Sequence, residues 1–129
     1  MMSAFFGAKV KAMHALIIED EPLIAMMIED ELRDMGFTTF DVAVEEQAAI
    51  HAAELRCPDL ITADERLAQG SGIEAVKVIC LERAIAVVFI VGNPHSLKIP
   101  DAVSLVKPFL ASDLRVAVEK ARQSVRTYA

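Results

Sequence analysis

At 129 residues the chain has the length of one domain, enough to bury about two thirds of its unfolded surface without disulfides or structural metal, and it leaves no room for a second output domain. A net charge of −6 and a pI near 5.0 exclude electrostatic capture of nucleic acid, which needs a basic stripe. The one basic concentration, Lys120, Arg122 and Arg126, reads as a solvated face.

Residues 1–13 place Phe5 and Phe6 before Lys9 and Lys11, the reverse of a signal peptide, and read as an extension that is disordered or packed on the edge of a domain spanning 14–129. The first strand is expected over 15–19. A helix follows, with Pro22 at its first position, an apolar stripe of Ile24, Met27, Ile28, Leu32 and Met35, and Gly36 as its stop. The second strand is expected over 38–43 and the second helix over 45–56, ended by Pro58. The third strand covers 60–63, and a helix starting near Gly72 carries Ile73, Val76, Ile79 and Cys80 inward. Strands over 86–91 and 103–106 follow. The last helix is capped by Ser112 or Asp113 and buries Leu114, Ala117, Val118, Ala121 and Val125. The strands are short, rich in β-branched residues and nearly continuous in apolar character, as parallel strands covered on both faces are. Strands alternating with helices predict an α/β fold with a doubly wound parallel sheet.

Cys57, just before Pro58, and Cys80 have no metal-ligand spacing and read as reduced, buried thiols of a cytoplasmic protein. The longest uncharged stretch, 84–97, is broken by Gly92, Asn93 and Pro94 and is too short to span a bilayer, so no membrane role is expected.

Glu19, Asp20 and Glu21 end the first apolar run, and Asp64 ends the third. A carboxylate is costly to bury unless it is paired or bound to a cation, so several of them where strands converge imply a metal site. In open parallel sheets, ligands bind outside the carboxyl ends of the strands, at the switch point. Glu19 and Asp20 follow strand one, Asp64 strand three, Gly92 and Asn93 strand four, and Lys107 strand five, so four distant segments are expected to meet in one pocket. Plainer readings exist for each. Glu19 and Asp20 also suit the start of the next helix, Glu21 suits a helix start better than a metal ligand, Asp64 suits a turn, and Glu65 and Lys107 suit solvent. His14, His51 and His95 share no catalytic spacing and read as structural or surface residues.

The segments Leu16-Ile17-Ile18-Glu19-Asp20-Glu21-Pro22, Pro58-Asp59-Leu60-Ile61-Thr62-Ala63-Asp64, Gly70-Ser71-Gly72 and Val106-Lys107-Pro108-Phe109 stand in order along the chain. With them the chain resembles response-regulator receiver domains from His14 to about Arg126. The resemblance implies a flavodoxin- or CheY-like five-stranded sheet of order 2-1-3-4-5. It implies a single-domain response regulator that takes a phosphoryl group on Asp64, with Mg2+, from a histidine kinase or phosphotransfer protein. Such a protein is no enzyme beyond promoting its own phosphorylation and dephosphorylation. It signals by contact with a downstream protein, here unidentified, without nucleic acid or membrane, and a homodimer is left open. Asp64 would be the nucleophile. Asp20, Asp64 and the backbone carbonyl of Arg66 would hold Mg2+, with Glu19 acting directly or through water. Lys107 would set its ammonium against a phosphoryl oxygen, aimed by a cis peptide before Pro108.

The sequence departs from the family at the positions that report phosphorylation. Receivers place Thr or Ser at the end of strand four and an aromatic residue three positions before the lysine, where this chain has Val91 and Ser104. Valine offers the phosphoryl group no hydrogen bond. The connection from Gly92 to Leu105 is shorter than in most receivers, and Pro94 and Pro100 leave room for about one or two helical turns. The family's fourth helix is therefore expected to be short, displaced or absent, which alters the output face formed with strand five and the last helix. The Gly-Asn-Pro phrase and short loop resemble a receiver subgroup linked to bacterial stress signalling. A pseudo-receiver that signals by constitutive protein contact is the alternative. Outside the family, a flavin carrier is opposed by the acidic first loop, which would repel a phosphate, and an aspartyl hydrolase is opposed by the lack of a substrate cap.

Overall fold

Buried apolar runs alternating with amphipathic ones wind this chain into a sheet between two helical layers, seen in a computed structural model that describes residues 12–128. The elements are β1 (Met13–Ile18), α1 (Pro22–Asp34), β2 (Phe37–Ala43), α2 (Glu46–Leu55), β3 (Leu60–Asp64), α3 (Gly72–Ile79), β4 (Ala86–Val91), β5 (Val103–Val106) and α4 (Ala111–Gln123). All neighbouring strands pair in parallel, in the order β2-β1-β3-β4-β5.

Side-chain alternation along the strands splits the core in two. Leu16, Ile18, Ile61, Val87 and Phe89 face Ala49 and Ala53 of α2 and Ala75, Val76 and Ile79 of α3. Ala15, Ile17, Leu60, Val88 and Ile90 face Ala25, Ile28 and Leu32 of α1 and Leu114, Ala117, Val118 and Ala121 of α4. The helices that follow β1 and β3 thus leave to opposite faces, which opens a crevice between the carboxyl ends of those two strands.

Several expectations need correction. The extension expected over 1–13 falls outside the described residues as far as residue 11, and Met13 already belongs to β1. Helix α4 starts at Ala111, so neither Ser112 nor Asp113 is its cap; Asp113 instead reaches back from inside the first turn and accepts a hydrogen bond from the Leu110 N–H at 2.9 Å. Val125 lies beyond the end of that helix and is half exposed, because the chain leaves the helical path at Ser124. Cys57 is exposed, standing in the loop that Pro58 directs away from α2, whereas Cys80 is buried and burial pushes its thiol up to about 12. The basic residues near the C-terminus are not all a solvated face: Arg122 lies 5.1 Å from the ring centre of Phe37 and Arg126 4.7 Å from that of Tyr128, and aromatic faces attract guanidinium.

Between β4 and β5 no helix forms, leaving four helices among the described residues. Residues 92–102 run as bends and turns, with Asp101 in the left-handed region at φ 60°. The core face beside this connector is closed by Leu97, Ile99, Ala102 and Tyr128. Tyr128 arrives there because the chain beyond α4 crosses to the other face of the sheet, where Ile85 N–H donates to Arg126 O at 3.1 Å and Tyr128 N–H to Cys80 O at 2.8 Å. Its ring meets Phe89 edge-on, 5.6 Å between centroids at 82°. On β1, next to the opposite outer strand β2, His14 is buried, with Nδ1 2.9 Å from Thr39 Oγ1 and Nε2 2.9 Å from Asp41 Oδ2, a structural histidine. No helix among the described residues is long and apolar enough to cross a membrane.

Candidate functional site

The crevice is lined by residues that strand geometry delivers. Glu19 directly follows β1, and its N–H donates to Ala43 O at 2.9 Å, extending the ladder one step and holding its side chain inward at 1% exposure. Asp64 is the last residue of β3, fixed from behind by the Glu65 N–H, which donates to Ile90 O at 2.9 Å. Lys107 follows β5, donates its N–H to Val91 O at 2.8 Å and is joined to Pro108 by a cis peptide. The loop after β3 is pinned close to the nucleophile candidate. A Cβ on Gly72 would collide with the Asp64 carbonyl oxygen, so only glycine fits there. Ser71 caps α3, its hydroxyl accepting from the Ile73 N–H at 3.1 Å and the Glu74 N–H at 3.4 Å.

Around this frame the charges are crowded. Lys107 Nζ lies 3.2 Å from Asp64 Oδ2 and 3.6 Å from Glu19 Oε1. Glu19 Oε2 accepts from the Glu21 N–H at 3.1 Å, but its buried Oε1 has no hydrogen-bond partner. Burial above all, and then the nearby Asp64 charge, push the Glu19 carboxyl from 4.5 up to about 7, against the opposing pull of the Glu21 N–H and Lys107. Burial also raises Asp64, with Lys107 opposing. Burial by itself lowers Lys107, but Asp64 and Glu19 outweigh it and hold the ammonium above its ordinary value.

One carboxylate oxygen from each of Glu19, Asp20 and Asp64 lies within 4.8 Å of the others. Three carboxylates facing one ammonium leave excess negative charge, and every donor is a hard oxygen. With the buried Glu19 Oε1 lacking a hydrogen bond, this set fits a divalent cation of the magnesium kind. A cleft of about 530 Å³ opens on Asp20, Asp64 and Lys107, and Glu21, Arg66, Asn93 and Ser96 also line it. Larger grooves beside β2 and β5, of about 640 and 710 Å³, bring together no comparable carboxylate cluster among the described residues.

Val91 is fully buried at the end of β4 and Ser104 is exposed on β5, paired in register with Phe89, so the first place has no hydroxyl and the second no aromatic ring. Glu65 is not simply solvated: it accepts from the Ser96 hydroxyl at 3.0 Å. Ser96 is a cleft residue that sequence reasoning missed, since a serine in a turn-rich loop carries no periodic signal. Tyr128 was missed too, since a lone aromatic beyond the last helix carries no periodic signal either.

The chain matches the response regulator receiver domain family over residues 15–119. It is 35% identical over 112 residues to the transcriptional regulatory protein PdtaR of Mycobacterium tuberculosis, covering 82% of this chain and 55% of that one. It is 36% identical over 124 residues to the phyllosphere-induced regulator PhyR of Methylorubrum extorquens, covering 89% of this chain and 46% of PhyR. Among solved structures, a double mutant of the anti-anti-sigma factor PhyR from Bartonella quintana superposes with a TM-score of 0.76 at 34% identity, over 93% of this chain and 51% of that one. The chain therefore spans about half the length of the curated relatives it matches. With its sheet order, its crevice and this match over most of its length, the chain belongs to the response-regulator receiver domains.

Proposed function

We propose that the chain accepts a phosphoryl group on Asp64 from a histidine kinase or phosphotransfer protein in the cytoplasm and passes the signal on by protein contact. The observation that carries this reading is the Lys107 ammonium 3.2 Å from Asp64 Oδ2, at the mouth of a cluster whose three carboxylates approach within 4.8 Å. An Asp64 oxygen forms the bond to phosphorus as the donor's P–N bond breaks, and that electron pair, with a proton, goes to the donor imidazole. Lys107, already against the acceptor, moves its charge onto a phosphoryl oxygen. Mg2+, held by Asp20, Asp64 and the Arg66 carbonyl with Glu19 directly or through water, would neutralise charge between the acceptor and the incoming oxygens. The acidic surface and the relative named an anti-anti-sigma factor support a protein as the downstream partner.

Intact mass after incubation with acetyl phosphate and Mg2+ tests the proposal. Wild type should gain one phosphoryl group and Asp64→Asn none; an unchanged wild-type mass refutes it. A second reading, a pseudo-receiver that signals without phosphate, is favoured by Val91 and Ser104. An Asp64-dependent change in amide exchange near Val91 on treatment with a phosphoryl mimic would count against it.

A further inference from the structure

The connector that replaces a helix between β4 and β5 is held at both ends. Near the cleft, the Ser96 hydroxyl donates to Glu65 Oε1 at 3.0 Å, with the Asn93 carbonyl at 2.7 Å as a second acceptor. At the other end, Arg126 Nη1 donates to Pro100 O at 2.7 Å. Two residues beyond that arginine stands Tyr128, 5% exposed, against Phe89. Phe89 precedes Val91 by two positions on β4, so the two share a face of the sheet. One continuous set of contacts thus joins the neighbour of Asp64 to the C-terminal segment.

We propose that residues 92–102, together with the C-terminal segment carrying Tyr128, form the reporting element of this receiver, in place of the hydroxyl and aromatic that Val91 and Ser104 do not supply. The proposal rests on phosphoryl acceptance at Asp64. A phosphoryl group there sets added negative charge beside the Glu65 carboxylate and offers Ser96 a stronger acceptor than either of the two it has. The Ser96 hydroxyl transfers from Glu65 to a phosphoryl oxygen, and the connector is drawn toward the cleft. Its far end pulls on the Arg126 tie, and the C-terminal segment, secured among the described residues by two backbone hydrogen bonds, to Ile85 and Cys80, is released first. Release bares the edge of Phe89 and offers a partner an apolar site that is closed in the resting state.

Tyr128 is the sole tyrosine and the chain has no tryptophan, so tyrosine emission reports on the surroundings of this one ring, the Phe89 edge and the Arg126 guanidinium together. The full chain is treated with acetyl phosphate and Mg2+, its phosphate content is fixed by intact mass, and amide exchange at Ile85 and Tyr128 is followed alongside fluorescence. Phosphorylated wild type should exchange roughly tenfold faster at both amides and change its tyrosine emission. Per phosphorylated molecule, Ser96→Ala and Arg126→Gln should lose that response, the latter starting from already faster exchange at Tyr128. Wild type that carries phosphate with unchanged exchange and emission overturns the relay while leaving acceptance standing. Either variant responding like wild type overturns the connector as the link. Wild type that takes no phosphate overturns the acceptor reading and the relay together.

Discussion

At the carboxyl ends of β1 and β3, three carboxylates crowd around one ammonium, and a buried oxygen of Glu19 finds no hydrogen bond. On the face of β4 beside the connector, Phe89, Leu97, Ile99 and Tyr128 instead form an apolar seam. The first region is held against its own electrostatics, while the second stabilises the fold by burial. Removing a group should therefore change stability in opposite directions at the two places.

The largest effect is expected in the seam. Phe89→Ala deletes a fully buried ring and should lower stability by about 3–5 kcal/mol, seen as a lower urea midpoint, with Tyr128 becoming exposed. A loss below about 1 kcal/mol would show that the seam closes without it and would weaken the contrast.

In the cleft the sign reverses. Glu19 titrates near 7 when folded and near 4.5 when unfolded, so its ionisation favours the unfolded chain. The penalty is absent below about pH 4.5, grows between 4.5 and about 7, and is complete above, where it amounts to about 3 kcal/mol. Metal-free Glu19→Gln should thus be more stable than wild type at pH 8 by up to that amount, and the gain should vanish near pH 4.5. Urea titrations of both proteins across that range check it; a variant less stable at pH 8 would break the comparison.

The smallest change is expected behind the cleft, where α3 starts against the Asp64 backbone. Gly72→Ala gains up to about 1 kcal/mol in helix propensity but drives a Cβ into the Asp64 carbonyl, and overpacking of about 1–3 kcal/mol should win. A net loss of stability with slower uptake of phosphate from acetyl phosphate is expected, and a neutral result would show that the loop gives way.

How much of this was readable beforehand depends on the kind of contact. The bounds of β4 and β5 agree with expectation because unbroken β-branched runs have one good environment, a buried parallel strand. The shared crevice of Glu19, Asp20, Asp64 and Lys107 was readable for a related reason, since strand ends in a wound sheet all point one way. The start of α4 was misread because Asp113 does a cap's work from inside the helix, a choice that depends on how Leu110 enters. Ser96, Tyr128 and the exposure of Cys57 were not readable, because each is decided by where a loop or terminal segment comes to rest against distant residues.

The histidine buried beside the far edge has a consequence for life in a crowded solution. Among the described residues strand β2 is the outer strand on its side, and an outer strand is a template for any extended chain that drifts by. From β1, His14 holds the β2 residue Asp41 by its carboxylate at 2.9 Å, and Arg33 lies 4.7 Å from the ring centre of Phe40 beside it. A second copy approaching to add a strand would have to desolvate or displace these charges. The contacts that fasten β2 to its own sheet thus also keep it from recruiting another molecule's, a guard against aggregation built from the same side chains.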